Sequence, residues 1–380
     1  MASRLRPAAF LAALSVSLVR AQQPDQTPPP DFRQLLQKLA AFSPDACDMR
    51  ADQSHEEAAD IETRIFFKAD EAVVQGLNAS HAKSPRERAA AALQKLERMS
   101  AEINAAWPAD NRFYAEITDL PPILIVRLGI RTRGTFTAFA IPADESGKSN
   151  QQWRGIRSGD LSEEHSFRSG ASIYPLHRGP SGFARFLVQF DSMGCAGSFG
   201  VSYEAYEWNP QDGYLTQIIK QDGSFGLDDK VPDFPQIGKL QTKGTLITLP
   251  YCWFSPIDTW DNPSLCAVDT YDLSGDRARF RSRTYNRPDL LPIAKAIEYA
   301  QHHDYPAVLA YCASSQIARR LVRDFPASFS AENVQVSPQP NGRERVELGF
   351  ETKYRFEVQK QAGRWRIVSF TAPQVTPAPQ

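Results

Sequence analysis

The residues best placed to do chemistry in this sequence are four alternating arginines, Arg277, Arg279, Arg281 and Arg283, separated by Ala278, Phe280 and Ser282. Residues two apart on a β-strand share a face. An extended run therefore puts four guanidinium groups on one side. Such a ridge can hold an anion (a phosphate, a sulfate or an acidic glycan) through charge-assisted hydrogen bonds. The same ridge also reads as a solvated strand face paired with its neighbours. If Ser274-Gly275 is a two-residue turn, Asp272 lies opposite Arg277 and neutralises it.

Acidic residues gather nearby at Asp258, Asp261, Asp269, Asp272 and Asp276. A general acid–base pair or a calcium loop would need such a group. The spacing does not follow Asp-x-Asp-x-Asp-Gly, and aspartates in turns commonly bond their own backbone. Aromatic residues Tyr203, Tyr206, Trp208, Tyr251, Trp253 and Trp260 read either as a sugar-binding surface or as β-core packing, with packing preferred. His302-His303 precedes Asp304. Adjacent helical side chains point about 100° apart, so the two rings do not face one ion. At the end of a helix they suit the negative end of its dipole instead.

No Gly-x-Ser-x-Gly elbow and no His-Glu-x-x-His helix occurs. Gly147-Lys148-Ser149 imitates the end of a P-loop, but Pro142 stands where the first glycine belongs. The sequence thus assigns no catalytic residue, no metal ligand and no cofactor-binding residue.

The five cysteines are Cys47, Cys195, Cys252, Cys266 and Cys312, with no Cys-x-x-Cys pair. Cys252 and Cys266 flank one loop between two predicted strands and form the candidate disulfide. A bridge across such a loop contributes about 3 kcal/mol. Cys312 falls on the apolar stripe of a predicted helix and reads as a buried free thiol.

Several elements must position these groups. Asp31 can cap a helix carrying Phe32, Leu35, Leu36, Leu39 and Phe42. The stretch 61–77 reads as helical. Ser84-Pro85-Arg86-Glu87 is a capping box with proline at the first helical position. It opens a helix with Leu93, Leu96, Met99 and Ile103 on one face. From about Phe113 the pattern turns to β. Leu124, Val126, Leu128 and Ile130 alternate with Ile125, Arg127, Gly129 and Arg131, which predicts a half-buried strand.

A strand–strand–turn–strand unit recurs, with openings at Ile123, Arg185 and Thr245, about 60 residues apart. Strand meanders at a fixed spacing suit a sandwich, a barrel or a partial propeller of about nine to twelve strands. Closed propellers typically need at least four blades.

The final region predicts helices capped by Asp289, beginning at Asp304 (with Val308 and Cys312) and beginning at Ser315. Three strands follow, with a hairpin signal at Pro340-Asn341-Gly342. Its Ala296-Ile297-Glu298-Tyr299-Ala300 and His303-Asp304-Tyr305, with Tyr354-Arg355-Phe356-Glu357-Val358 and Gly363-Arg364-Trp365-Arg366-Ile367-Val368, resemble the small cone-shaped domains of the NTF2-like superfamily. The resemblance covers roughly residues 290–372. It implies a curved sheet wrapped around an N-terminal helix, in a superfamily that holds both enzymes and non-enzymatic binding domains, and with it a cone that could hold a small apolar ligand.

Arg4 and Arg6, an uncharged stretch from Pro7 to Val19, and small residues before Gln22 predict a signal peptide cleaved after Ala21. The apolar stretch is shorter than the roughly 20 residues a membrane span requires. The full segmentation is a signal peptide at 1–21, a Pro/Gln-rich linker at 22–30, a helical region at 31–110, an antiparallel β domain at 112–287, an NTF2-like α+β domain at 288–372 and a disordered tail at 373–380. A net charge of −1 gives no support to nucleic acid as a partner.

The reading is an exported (periplasmic or secreted) α+β protein with no transmembrane segment in the mature chain. Its expected function is non-catalytic binding of a ligand or partner, an anionic or glycan ligand among them. The competing class is an extracytoplasmic hydrolase using carboxylates of the central β region.

Overall fold

The computed structural model describes residues 31–44, 54–79, 83–131, 133–142, 152–158, 169–193, 199–211, 213–225, 240–253, 255–258, 265–329, 331, 333–349 and 353–373. The expected signal peptide and linker, nearly all of the C-terminal tail, and Cys47, Cys195, Asp261, Trp260 and the Gly147-Lys148-Ser149 segment lie outside the described residues.

Three helices come first: α1 (Phe32–Leu39), α2 (Ser54–Ala79) and α3 (Pro85–Ile103). Asp31 caps α1, its side chain accepting from the Gln34 N–H. Ser84 and Glu87 form the reciprocal capping box of α3. The apolar stripe of α1, Phe32, Leu35, Leu36 and Leu39, is buried.

Among the described residues twelve strands follow as three antiparallel sheets of four, each made of consecutive strands. Sheet 1 holds β1 (Tyr114–Leu120), β2 (Ile123–Ile130), β3 (Arg133–Ala140) and β4 (Arg154–Ser158). Sheet 2 holds β5 (Ser169–Leu176), β6 (Ala184–Met193), β7 (Phe199–Trp208) and β8 (Leu215–Phe225). Sheet 3 holds β9 (Gln241–Lys243), β10 (Leu246–Trp253), β11 (Leu265–Asp272) and β12 (Arg279–Tyr285). The repeat openings read from the sequence fall at the second strand of each sheet. The unit has four strands rather than three, because β1, β5 and β9 precede those openings.

The sheets stack face to face. One face of β2 and β3 (Leu124, Val126, Leu128, Ile130 and Phe139) packs against α1–α3. The opposite face (Ile123, Ile125, Phe136 and Ala138) packs against Phe186, Val188, Phe190, Tyr206 and Trp208 of sheet 2. Phe136 meets Phe186 edge-on at 5.9 Å, a favoured aromatic geometry. The other side of sheet 2 meets Ile247, Leu249, Tyr251 and Cys252 of sheet 3. Strand β2 is therefore buried on both faces, not one: the Ile125 side, expected to face solvent, is covered by sheet 2. Each repeat forms its own meander, as in propeller blades. The first is covered by helices.

The remaining chain packs against the Ile257 and Leu265 end of sheet 3. It comprises α4 (Leu291–Gln301), α5 (Tyr305–Leu309) and α6 (Ser315–Asp324), then a fourth antiparallel sheet of β13 (Val334–Gln339), β14 (Arg343–Leu348), β15 (Tyr354–Gln361) and β16 (Arg364–Thr371). The molecule is thus α+β throughout. Asn341 and Gly342 both take positive φ at the β13–β14 turn, as the hairpin signal required. Among the described residues four strands follow the helices rather than three.

Two local expectations are corrected. Asp289 does not cap α4: Leu290 holds that position with no side-chain bond, and the Asp289 carboxylate pairs with Arg287 at 2.5 Å. Cys312 is not on a helix. Helix α5 stops at Leu309, and Cys312 forms a parallel bridge to Ile367. His302 and His303 lie past the end of α4, with His303 at φ 55°.

Candidate functional site: the β11–β12 loop and its arginines

The site begins with an arginine that does not touch solvent. Arg185, near the start of β6, has a side chain 0% exposed. Its Nε donates to Glu207 Oε2 at 2.5 Å. Its Nη1 donates to the Leu273 carbonyl at 2.8 Å. Its Nη2 donates to the carbonyls of Gly275 at 2.9 Å and Asp276 at 3.2 Å. A buried guanidinium is tolerated only when its charge and donors are met. Here one carboxylate meets the charge and three main-chain oxygens accept from three of the four remaining N–H donors. Gly179 is part of the arrangement, because a Cβ there would collide with the guanidinium. Arg185 thus anchors the loop between β11 and β12 to sheet 2.

The four alternating arginines leave this loop in two different states. Arg283 grips Asp269 through two parallel bonds, 2.6 and 2.8 Å. Its guanidinium also stands 5.6 Å from the Tyr251 ring centroid and 5.8 Å from that of Phe280. The hydrogen bond to Asp269 raises its pKa above the usual guanidinium range. Burial first, then the Asp269 charge, push the Tyr251 hydroxyl up. Arg281 pairs with Asp272, whose other oxygen accepts from the Ser274 N–H at 2.9 Å. The Arg281 bond, then the Ser274 bonds, hold the Asp272 carboxyl well below the usual range.

Arg277 and Arg279 differ. Both are exposed, and neither has an ion-pair or hydrogen-bond partner among the described residues. Together with Ser274, Gly275 and Asp276 they line an open depression.

The expected single ridge is therefore corrected. Strand β12 starts at Arg279, so Arg277 belongs to the loop. A bulge opposite Thr270/Tyr271 pairs Thr270 with Ser282 and Tyr271 with Phe280, leaving Arg281 as the extra residue. The turn is also longer than two residues, so Asp272 sits opposite Arg279 in register and pairs with Arg281, not with Arg277.

The other sequence candidates have structural partners. Cys252 and Cys266 lie directly opposite one another on β10 and β11 and are joined by a disulfide. Cys312 is a buried free thiol, which burial pushes up to about 12. Asp258 accepts from the Ser255 N–H and hydroxyl at 2.6 and 2.8 Å. With Asp269 and Asp272 held by arginines, these three carboxylates form no convergent acid–base pair. Tyr203, Tyr206, Trp208 and Tyr251 are buried and Trp253 is half-buried, so they do not form an open sugar platform. Among the described residues no group of three His, Cys, Asp or Glu side chains could hold a metal ion.

Sequence reasoning missed the role of Arg185. A lone charge at the start of an apolar strand reads as a solvated strand end. Only the stacking of sheets 2 and 3 reveals that the position is enclosed.

No known family profile matches the chain, and no curated protein matches it. Among solved structures, a mutant of the Aleuria aurantia lectin in complex with alpha-methyl-L-fucoside is 12% identical, with 70% of this chain and 79% of that chain covered. The TM-score of 0.17 does not show a common fold.

Proposed function

We propose that this chain is an exported, non-catalytic binding protein that takes an anionic ligand at the β11–β12 loop. One observation carries the reading. Of four arginines in seven residues, two are committed to aspartates, while Arg277 and Arg279 stand exposed and unpartnered among the described residues beside an open depression. Phe280 lies between Arg279 and Arg281 and is 54% exposed. Its ring lies against Tyr271 and the Asp269-bound Arg283, outside the residues that line the depression, so the ligand contact rests on the two open arginines. The disulfide between Cys252 and Cys266 accords with an oxidising compartment. No helix among the described residues is long and apolar enough to cross a membrane.

The test is a double variant, Arg277→Gln with Arg279→Gln, against an immobilised panel of sulfated, carboxylated and neutral glycans. The expected result is binding of anionic members by the parent protein. It should weaken about tenfold or more in the variant, given about 1.5–3 kcal/mol for each charged hydrogen bond lost. Equal binding by both proteins, or binding that ignores ligand charge, overturns the reading.

For residues 290–372 the NTF2-like resemblance is kept as a proposal about ancestry rather than activity. Its support is three helices packed on one four-stranded sheet. Phe325, Phe356 and Phe370 lie 5.1–6.3 Å from one another inside that unit. An interior filled by its own rings suits a capping layer better than a ligand cone.

A further inference from the structure

The backbone of the β11–β12 loop carries information that its side chains do not. In a trans peptide the carbonyl of one residue and the N–H of the next point in opposite directions. The described peptides of this loop are trans. The carbonyls of Leu273, Gly275 and Asp276 all point at the buried Arg185 guanidinium. The N–H groups of Ser274, Asp276 and Arg277 must therefore point the other way, toward the exposed side of the loop. Ser274 N–H is taken by Asp272 Oδ1 at 2.9 Å. The N–H groups of Asp276 and Arg277 have no acceptor among the described residues.

We infer that this loop is a main-chain oxyanion nest, in which the adjacent N–H groups of Asp276 and Arg277 and the guanidinium groups of Arg277 and Arg279 hold the tetrahedral head of a sulfate or phosphate monoester. The inference rests on the anion-binding reading above and narrows it to a ligand class and a set of donors. Successive outward N–H groups form a concavity that favours anions. Guanidinium groups beside it add bidentate donors. A tetrahedral ester has three terminal oxygens and can accept from two amides and two guanidinium groups together. A carboxylate has only two oxygens and leaves donors unmet.

The charges around the nest are consistent with this. Asp272 is neutralised by Arg281, and Arg185 lies behind the loop with Glu207 as its counter-ion. Among the described residues lining the depression Asp276 carries the one carboxylate, so it opposes the ligand. Arg185 is a positioning residue here. It does not reach the ligand, but it turns two consecutive carbonyls inward and so turns two consecutive N–H groups outward.

The experiment is a titration of the 15N-labelled full chain followed by amide and arginine Nε–H resonances. The probes are inorganic sulfate, inorganic phosphate, glucose 6-sulfate, glucose 6-phosphate and glucuronate. The two sugar esters separate a sulfated from a phosphorylated source. The expected result is a saturable downfield shift of the Asp276 and Arg277 amide protons with the tetrahedral anions. Affinity should fall about tenfold in Arg277→Gln/Arg279→Gln and rise about threefold in Asp276→Asn, which removes the opposing charge.

If only arginine Nε–H resonances move, the nest is wrong while the anion site stands. If glucuronate binds as tightly as glucose 6-sulfate, the tetrahedral selectivity is wrong. If no probe gives a saturable shift, both the nest and the anion site are overturned.

Discussion

The helix–sheet 1 junction and the β12 edge of sheet 3 use the same residue types to opposite ends. At the junction, Glu62 of α2 is buried with Arg131 at 2.7 Å and Arg133 at 3.6 Å. Arg133 also donates to the Ala59 carbonyl. Burial pushes the Glu62 carboxyl up against the pull of both arginines. Glu62, Arg131 and Arg133 join the helices to sheet 1, as Arg127 joins sheet 1 to sheet 2 through the Ala171 carbonyl at 2.6 Å and Arg185 joins sheet 2 to the β11–β12 loop. At the β12 edge the charges are exposed, and only half of them have partners. What separates the two regions is whether an arginine's donors remain open after the fold is complete. The number of arginines in a segment does not decide it.

That contrast can be broken most directly at Arg185. Replacing it with leucine strands Glu207 and three carbonyls, and should cost about 3–5 kcal/mol in urea unfolding. A loss under about 1 kcal/mol would put Arg185 in the same class as a surface arginine.

The next largest effect belongs to Asp70, also at the junction. Its Oδ2 accepts from the Thr137 hydroxyl at 2.8 Å, while Oδ1 is buried with no partner. Burial raises its pKa from 3.8 to about 7. The folded state therefore binds this proton more tightly than the unfolded state. The resulting stability is full below pH 4 and is lost as pH rises through about 7. The loss reaches at most ~4 kcal/mol. Asp70→Asn should flatten that part of the pH–stability curve, measured by unfolding at intervals from pH 4 to 8. An unchanged slope would show that the junction carboxylate is solvated.

Removing the disulfide with Cys252→Ala and Cys266→Ala should cost about 3 kcal/mol, in keeping with a closed loop of about 15 residues. Its readout is the thermal midpoint, with sheet 3 melting earlier by amide exchange. The smallest effect sharpens the comparison from the other side. Arg279→Gln should leave stability within about 0.5 kcal/mol, because the side chain has nothing to lose on the folded chain. A larger loss would mean that the exposed arginines are also structural.

Much of this arrangement was legible from local signals. The Asp31 cap, the Ser84–Glu87 box and the Asn341-Gly342 turn each depend on a few neighbouring residues, and each stands where the sequence puts it. The inner strands of every repeat were legible because their apolar runs are dense. The first strands were not. Strand β9 is three exposed polar residues, and β1 is only partly buried along its whole length, since each lies at the edge of its sheet. Edge strands need less apolar patterning, so their periodicity is weak.

The candidate site was half legible. Alternation drew attention to Arg277–Arg283, but the bulge and the long turn decide which of those arginines stay open. Both depend on pairing with β11. The role of Arg185 depends on two sheets separated by some ninety positions in sequence meeting face to face.

The layered stack has a consequence for how the chain can be assembled and altered. Contacts between layers run mainly from one to the next in sequence order, helices to sheet 1, sheet 1 to sheet 2 and sheet 2 to sheet 3. Such an object behaves as a short one-dimensional array, whose stability is close to a sum of units and their joints. A chain emerging from its N-terminus can complete each layer before the next appears, with little loop-closure entropy at each step. Damage to one layer should then spread along the stack by neighbours, weakening nearby joints first and distant ones last.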